Sequence, residues 1–138
     1  IDGSPLSRQA LRHALDTFPD MEIVAFHVSD LFDPGAGSDT DSLYEPIAGS
    51  DEWYAQETEA TEELLSEAEE IAAEYDREIT TESEIGDPQR LIPEYAREQD
   101  IDHIVLGVHG REDTERQLVG RVAEKVIYRA PVPVTMIR

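Results

Sequence analysis

The sequence predicts an α/β fold built on a parallel sheet, and three observations carry that prediction. Helical and strand-like patterns alternate along the chain, four of each. Strands that alternate with helices form parallel sheets through right-handed crossovers. The segment 22–28 is almost continuously apolar, as in Ile23-Val24-Ala25-Phe26, which suits a strand covered on both faces. The length of 138 residues, without an internal repeat, fits one domain spanning 1–138. An alternating fold opens on a strand, yet the first pattern here is helical. Ile1 therefore reads as the last residue of a first strand that precedes Asp2.

Ser4-Pro5 has the form of an N-cap followed by proline at the first helical position. Leu6, Ala10, Leu11, Ala14, Leu15 and Phe18 then recur at helical spacing up to Pro19. After the strand 22–28, residues 29–50 carry Pro34, Gly35, Gly37, Pro46 and Gly49 among many acids and read as a long loop. Residues 51–76 predict the longest helix. Its apolar stripe is Trp53, Leu64, Leu65, Ala68, Ile71, Ala72 and Tyr75, with glutamates opposite. Residues 77–85 read as a polar strand at a sheet edge. Gly86-Asp87-Pro88 repeats the cap-then-proline signal, and Leu91, Ile92, Tyr95 and Ala96 give a short helix. Residues 101–108 predict a buried strand, and 109–116 a polar loop. Leu118, Val119, Val122, Ala123, Val126 and Ile127 predict the last helix, and 131–137 the last strand.

Composition narrows the function. The chain has 32 acidic and 11 basic side chains, a formal net charge of −21, and no cysteine. Absence of cysteine excludes disulfides, thiolate zinc sites and thiol nucleophiles. Such negative charge speaks against nucleic acid or an anionic membrane surface as partner, since both need a basic face. Apolar runs stop at about five residues, against the ~20 of a membrane helix. Ten of the basic residues are Arg and one is Lys125, and the acids are spread over the whole chain. That balance reads as a halophilic surface, because in ~1 M salt the Debye length is only ~3 Å and self-repulsion is screened.

The strongest local signal is LGVHGREDTERQLVGRV, where Gly107, Gly110 and Gly120 stand at G-x2-G-x9-G between a strand and a helix. Phosphate needs backbone N–H groups at close range, and glycine removes the Cβ that would block them. A helix N-terminus adds its dipole. The spacing alone leaves open a phosphate site and a plain turn. No G-x-S-x-G, H-E-x-x-H or G-x-x-x-x-G-K-[ST] occurs, so hydrolase, zinc-protease and P-loop readings have no support.

With Asp2-Gly3-Ser4-Pro5, Phe26-His27-Val28, Gly86-Asp87-Pro88, Gly107-Val108-His109-Gly110-Arg111…Gly120 and Ala130-Pro131-Val132-Pro133-Val134, the chain resembles the universal stress protein family over essentially its whole length. The resemblance implies an open five-stranded parallel sheet of order 3-2-1-4-5 with helices on both faces, counting the strand before Asp2 as the first. It implies a cytoplasmic homodimer paired through the strand 131–137. It also implies a stress-response regulatory protein that binds ATP or another adenine nucleotide, with or without magnesium, and is not an enzyme. By position, Asp2 would contact the ribose and Val28 would border the adenine. Gly107, His109, Gly110, Arg111 and Gly120 would wrap the phosphates, with Val122 and Ala123 supplying helix N–H groups. Arg121 stands where the family carries Ser or Thr, and Glu112 and Asp113 where members often carry Thr and Gly. The alternatives are a dimer that acts through protein contacts alone and a slow ATPase.

Other constellations are weaker. His27 reads as a packed histidine, and His109 as either a phosphate contact or part of the loop. Asp39, Asp41 and Glu45 have a faint calcium-loop spacing without the required glycine. The glutamates of 57–84 read as a solvated face, and Trp53 and Tyr54 as packing of the long helix on the sheet. Like charges at i, i+4 each cost a few tenths of a kcal/mol in low salt, so the melting temperature should rise between dilute buffer and molar KCl. An unchanged midpoint in a thermal scan would contradict the halophilic reading.

Overall fold

Helix starts follow the caps written in the sequence. Here the computed structural model describes residues 1–30, 47–110 and 119–138. Ser4 Oγ accepts from the Ser7 amide ahead of α1 (Pro5–Thr17), and Pro5 opens the helix where its missing N–H is not needed. Ser50 accepts from the Trp53 amide ahead of α2 (Asp51–Glu74), whose first turn carries Asp51 and Glu52 against the positive end of the dipole. Asp87 accepts from the Gln89 amide ahead of α3 (Pro88–Glu98). The last helix, α4 (Arg121–Arg129), begins later than its apolar pattern predicted. Gly120 is its N-cap, so Val119 stands outside it and is exposed, while Leu118 lies outside the described residues.

Four strands are described: β1 (Val24–Ser29), β2 (Thr80–Ile85), β3 (Ile104–Gly107) and β4 (Val134–Ile137). All four begin later than predicted, β1 by two residues and the others by three, and for β2, β3 and β4 the reason is identifiable. The Arg77 amide turns back to the Ala72 carbonyl and the Ile101 amide to Ala96, closing α2 and α3. Asp76 and Asp100 supply the left-handed residue of those closures, at φ 55° and 50°, where glycine is usual. Pro131 and Pro133 have no amide for a ladder, although the Pro133 carbonyl still accepts from Ile104.

The strands form two parallel pairs. Val24 stands opposite Thr80 through to Ser29 opposite Ile85, and Ile104 opposite Val134 through to Gly107 opposite Ile137. Among the described residues β1 and β3 are not paired with each other, so the strands make two two-stranded sheets. The strand β3 is half-buried, not buried as the apolar run 101–108 suggested, because it borders the space between the two sheets; β4, on its other side, is half-buried too. The polar β2 has β1 as its one partner and is an edge, as expected.

Helices cover both faces. Successive side chains of a strand point to opposite sides. Ala25 enters a core with Leu11 and Leu15 of α1 and Ala68, Ile71 and Ala72 of α2. Its neighbour Phe26 stacks on Tyr95 of α3, with ring centroids 4.3 Å apart and planes 21° from parallel. Hence α1 and α2 lie on one side of β1, and α3 on the other with α4 against it. Among the described residues, no helix is long and apolar enough to cross a membrane.

Candidate functional site

A cavity of about 450 Å³ runs between β1 and β3, bounded on one side by α1. It extends from Phe18, Ile23 and His103 at the amino ends of these strands to a mouth lined by Ser29, Gly107 and His109 at their carboxyl ends, the place where open parallel sheets take ligands. Eight of the ten residues singled out in the sequence line it. Asp2 and Val28 come from the N-terminal segment and β1; Gly107, His109 and Gly110 from β3 and the residues after it; Arg121, Val122 and Ala123 from the first turn of α4. Gly120 does not line it: its amide donates to the Val108 carbonyl at 2.6 Å, so it serves as the buried N-cap of α4. Arg111 lies outside the described residues, as do Glu112, Asp113 and the Asp39, Asp41 and Glu45 group.

Each wall residue is held by local chemistry. Asp2 Oδ1 accepts from the Ser4 amide at 2.8 Å while the Asp2 amide donates to Ser7 Oγ at 3.1 Å, which ties the N-terminal segment to α1. Between them Gly3 sits at φ 82°, a conformation that side chains resist. The three amides of the first turn of α4 have no partner within the helix, and their residues all face the cavity. His109 lines the same space, and its buried Nδ1 lacks a hydrogen-bond partner. His27 is satisfied, as expected of a packed histidine. Its Nδ1 lies 2.8 Å from the Ile1 carbonyl oxygen, which can only accept, so Nδ1 carries a proton. Gly107 has a packing role as well as a place on the wall: a Cβ there would lie 2.7 Å from Leu6 Cβ and 3.2 Å from the Leu6 carbonyl carbon.

Two wall residues were not read from the sequence. Tyr95, read only as part of a helical stripe, lines the cavity beside Phe26. Burial, with Glu82, Glu84 and Glu22 nearby, pushes its phenol above the ordinary value, so it stays protonated. Glu57 was assigned to the solvated face of α2 and is instead buried and on the cavity wall. The signal was present: Glu57 follows Trp53 by four residues and precedes Leu64 by seven, on the inward stripe. Tyr54 departs in the other direction. It is exposed, in edge contact with Trp53, and does not pack on the sheet. Among the described residues no group of three or more His, Asp or Glu is placed to hold a metal ion.

Parallel strand pairs with helices on both faces and a cleft between the strands define an α/β protein of the open parallel-sheet class. The universal stress protein family model matches residues 1–138, and the chain belongs to that family. It is 34% identical over 139 residues to a universal stress protein of Methanocaldococcus jannaschii, covering 99% of this chain and 78% of the relative. Among solved structures it is similar to the universal stress protein UspA from Lactobacillus plantarum, with a TM-score of 0.75, 26% identity, and coverage of 100% of this chain and 93% of that one. It shares the fold of a universal stress protein solved in complex with cAMP, with a TM-score of 0.68, 22% identity, and coverage of 100% and 92%.

The Gly107 geometry has a direct test. Adding one methyl in Gly107→Ala forces Leu6 or the end of β3 to move, and overpacking of this kind costs ~1–3 kcal/mol. Chemical denaturation in molar KCl should show that loss without any ligand present. Unchanged stability would mean that Gly107 serves a ligand alone.

Proposed function

We propose that this universal stress protein binds an adenine nucleotide, ATP in the first instance, and acts as a cytoplasmic regulatory dimer and not as an enzyme. One observation carries the reading: the first turn of α4, whose amides have no partner within the helix, faces a cavity that also holds the buried, unpartnered Nδ1 of His109. A helix N-terminus attracts anions through those amides and its dipole. A protonated imidazole nitrogen beside it completes its hydrogen bonding on a phosphate oxygen. Arg121, on the same wall, adds a charge-assisted donor where the family has a hydroxyl. Val28 then borders the base and Asp2 the ribose. A complex of cAMP with a protein of this fold makes an adenine nucleotide the first ligand class to try.

The same reading completes the sheet to five strands in the order 3-2-1-4-5, with a further strand between β1 and β3. Ile1 already behaves as the end of such a neighbour, its backbone nitrogen donating to the Phe26 carbonyl at 2.7 Å. That strand takes the length of the cavity beside Val24–Phe26 and leaves the mouth to the ligand.

Two measurements test the function. Titration calorimetry in molar KCl should give heat with ATP in the parent and none in Gly110→Val, where a branched side chain blocks the backbone. Arg121→Ser, which exchanges that charged donor for the family's hydroxyl, should bind more weakly; tighter binding would mean that the Arg121 side chain fills the pocket instead. No heat with ATP, ADP or AMP in the parent or Arg121→Ser would leave a dimer acting through protein contacts alone, and steady phosphate release would make it a slow ATPase. Pairing through 131–137 rests on β4, whose one neighbour among the described residues is β3, and on Ile127 and Tyr128, 46% and 79% exposed at the end of α4. Sedimentation at micromolar concentration in molar KCl should give the dimer mass; a monomer overturns that part.

A further inference from the structure

Glu57 is a carboxylate in an apolar position. Its α2 stripe runs from Trp53 through Glu57 and Leu64 to Ala68 and Ile71, and every other member of that set is apolar. Leu64 lies against Gly3, and Thr61 Oγ1 is 3.3 Å from the Oγ of Ser29, the last residue of β1. Glu57, one turn before Thr61, therefore stands just beyond the end of that strand, at the mouth of the cavity that it lines. It is only 9% exposed. Among the described residues it has no hydrogen bond and no ion pair, unlike Glu67, Glu74 and Glu94, which pair with Arg8, Arg12 and Arg90.

Nothing in the fold rewards that placement. The helix dipole favours acids only within the first turn, and Glu57 is the seventh residue of α2. A carboxylate side chain packed mostly among apolar neighbours is desolvated at a cost to folding unless solvent or a ligand in the cavity meets its oxygens. Such a group persists where something outside the fold satisfies it. The opposite end of the mouth supplies donors, from α4 and His109, and suits the anionic end of a ligand. The Glu57 end supplies an acceptor.

We propose that Glu57 recognises the nucleoside end of the bound nucleotide by accepting a hydrogen bond from a donor on it, a ribose hydroxyl or the exocyclic amine of the base. This rests on the nucleotide reading above. Glu57 thereby fixes the ligand's direction in the cleft, phosphates toward α4 and nucleoside toward α2, and selects among nucleotides. It is a binding residue with no chemical step assigned to it.

The test compares the parent, Glu57→Leu and Glu57→Gln by titration calorimetry in molar KCl, with ATP, 2′-deoxy-ATP, 3′-deoxy-ATP and inosine triphosphate, and by thermal melting without ligand. A hydrogen bond to a charged group is worth about 10–100-fold in affinity. Glu57→Leu should lose ATP affinity on that scale while melting no lower than the parent, since it places an apolar side chain in an apolar stripe. Glu57→Gln, which keeps one acceptor, should fall between the two. The gap between parent and Glu57→Leu should close for a deoxy analogue if the donor is a ribose hydroxyl, and for inosine triphosphate if it is the base amine. A gap unchanged across all three analogues would overturn the assignment of a nucleoside donor. Parent-like affinity in Glu57→Leu, or a lower melting point with parent-like affinity in Glu57→Gln, would make Glu57 structural and overturn the proposal while nucleotide binding stood. A parent that binds none of the four would remove the nucleotide reading itself and this proposal with it.

Discussion

Helix α1 joins the two halves of the molecule, and the rest of the arrangement depends on its packing. Among the described residues no ladder runs between β1 and β3, so side chains must do what backbone hydrogen bonds do inside each pair. Leu11 and Leu15 hold β1 and α2 through Ala25, Ala68 and Ala72. Leu6 closes on β3 at Gly107, an approach possible only because no Cβ stands there. At the far end Phe18 meets the His103 ring at 5.1 Å, and His103 Nε2 bonds Thr135 Oγ1 of β4 at 2.6 Å. The carboxyl end of α1 has no basic residue of its own. Arg77, from beyond α2, supplies the charge by donating to the carbonyls of Leu15, Phe18 and Met21. One helix thus sets the width of the cleft and the height of its wall.

Helix caps were legible because they are local. Ser4-Pro5 and Asp87-Pro88 state where α1 and α3 begin, and each start is where the sequence put it. Apolar periodicity was less reliable at the edges of elements. The pattern from Leu118 ran past Gly120, yet hydrogen bonding placed the cap at the glycine, whose carbonyl accepts from Glu124. Strand starts slipped by about three residues where amides were committed elsewhere, at Arg77 and Ile101, or missing, at Pro131 and Pro133. Those commitments are tertiary facts that no propensity carries.

The cleft was legible to the extent that glycine spacing and the first turn of a helix are local. Gly107, His109, Gly110 and the start of α4 converge because 107–110 follow one strand and 121–123 begin the next element. The roles of individual glycines were not legible. Gly120 serves its helix and Gly107 serves Leu6. Glu57 was hidden by its neighbours: in a helix with ten acids and no base, one more glutamate looks like surface. What distinguishes it is phase, and its phase is that of Trp53 and Leu64.

Net charge and local charge point in opposite directions at this cleft, and the local arrangement decides. A chain of −21 repels anions at long range in dilute buffer. In ~1 M salt the Debye length shrinks to ~3 Å, so the many exposed glutamates of α2 are silent at the cleft. Groups that line the cavity remain: the amides of the α4 first turn, Arg121 and His109 on one side, Asp2, Asp30 and Glu57 on the other. Buried groups are screened far less than exposed ones. The cleft is therefore polar in a definite direction, donors at one end and carboxylates at the other. In concentrated salt an acidic surface and a group of donors at one end of the cleft are therefore compatible, because screening uncouples the first from the second.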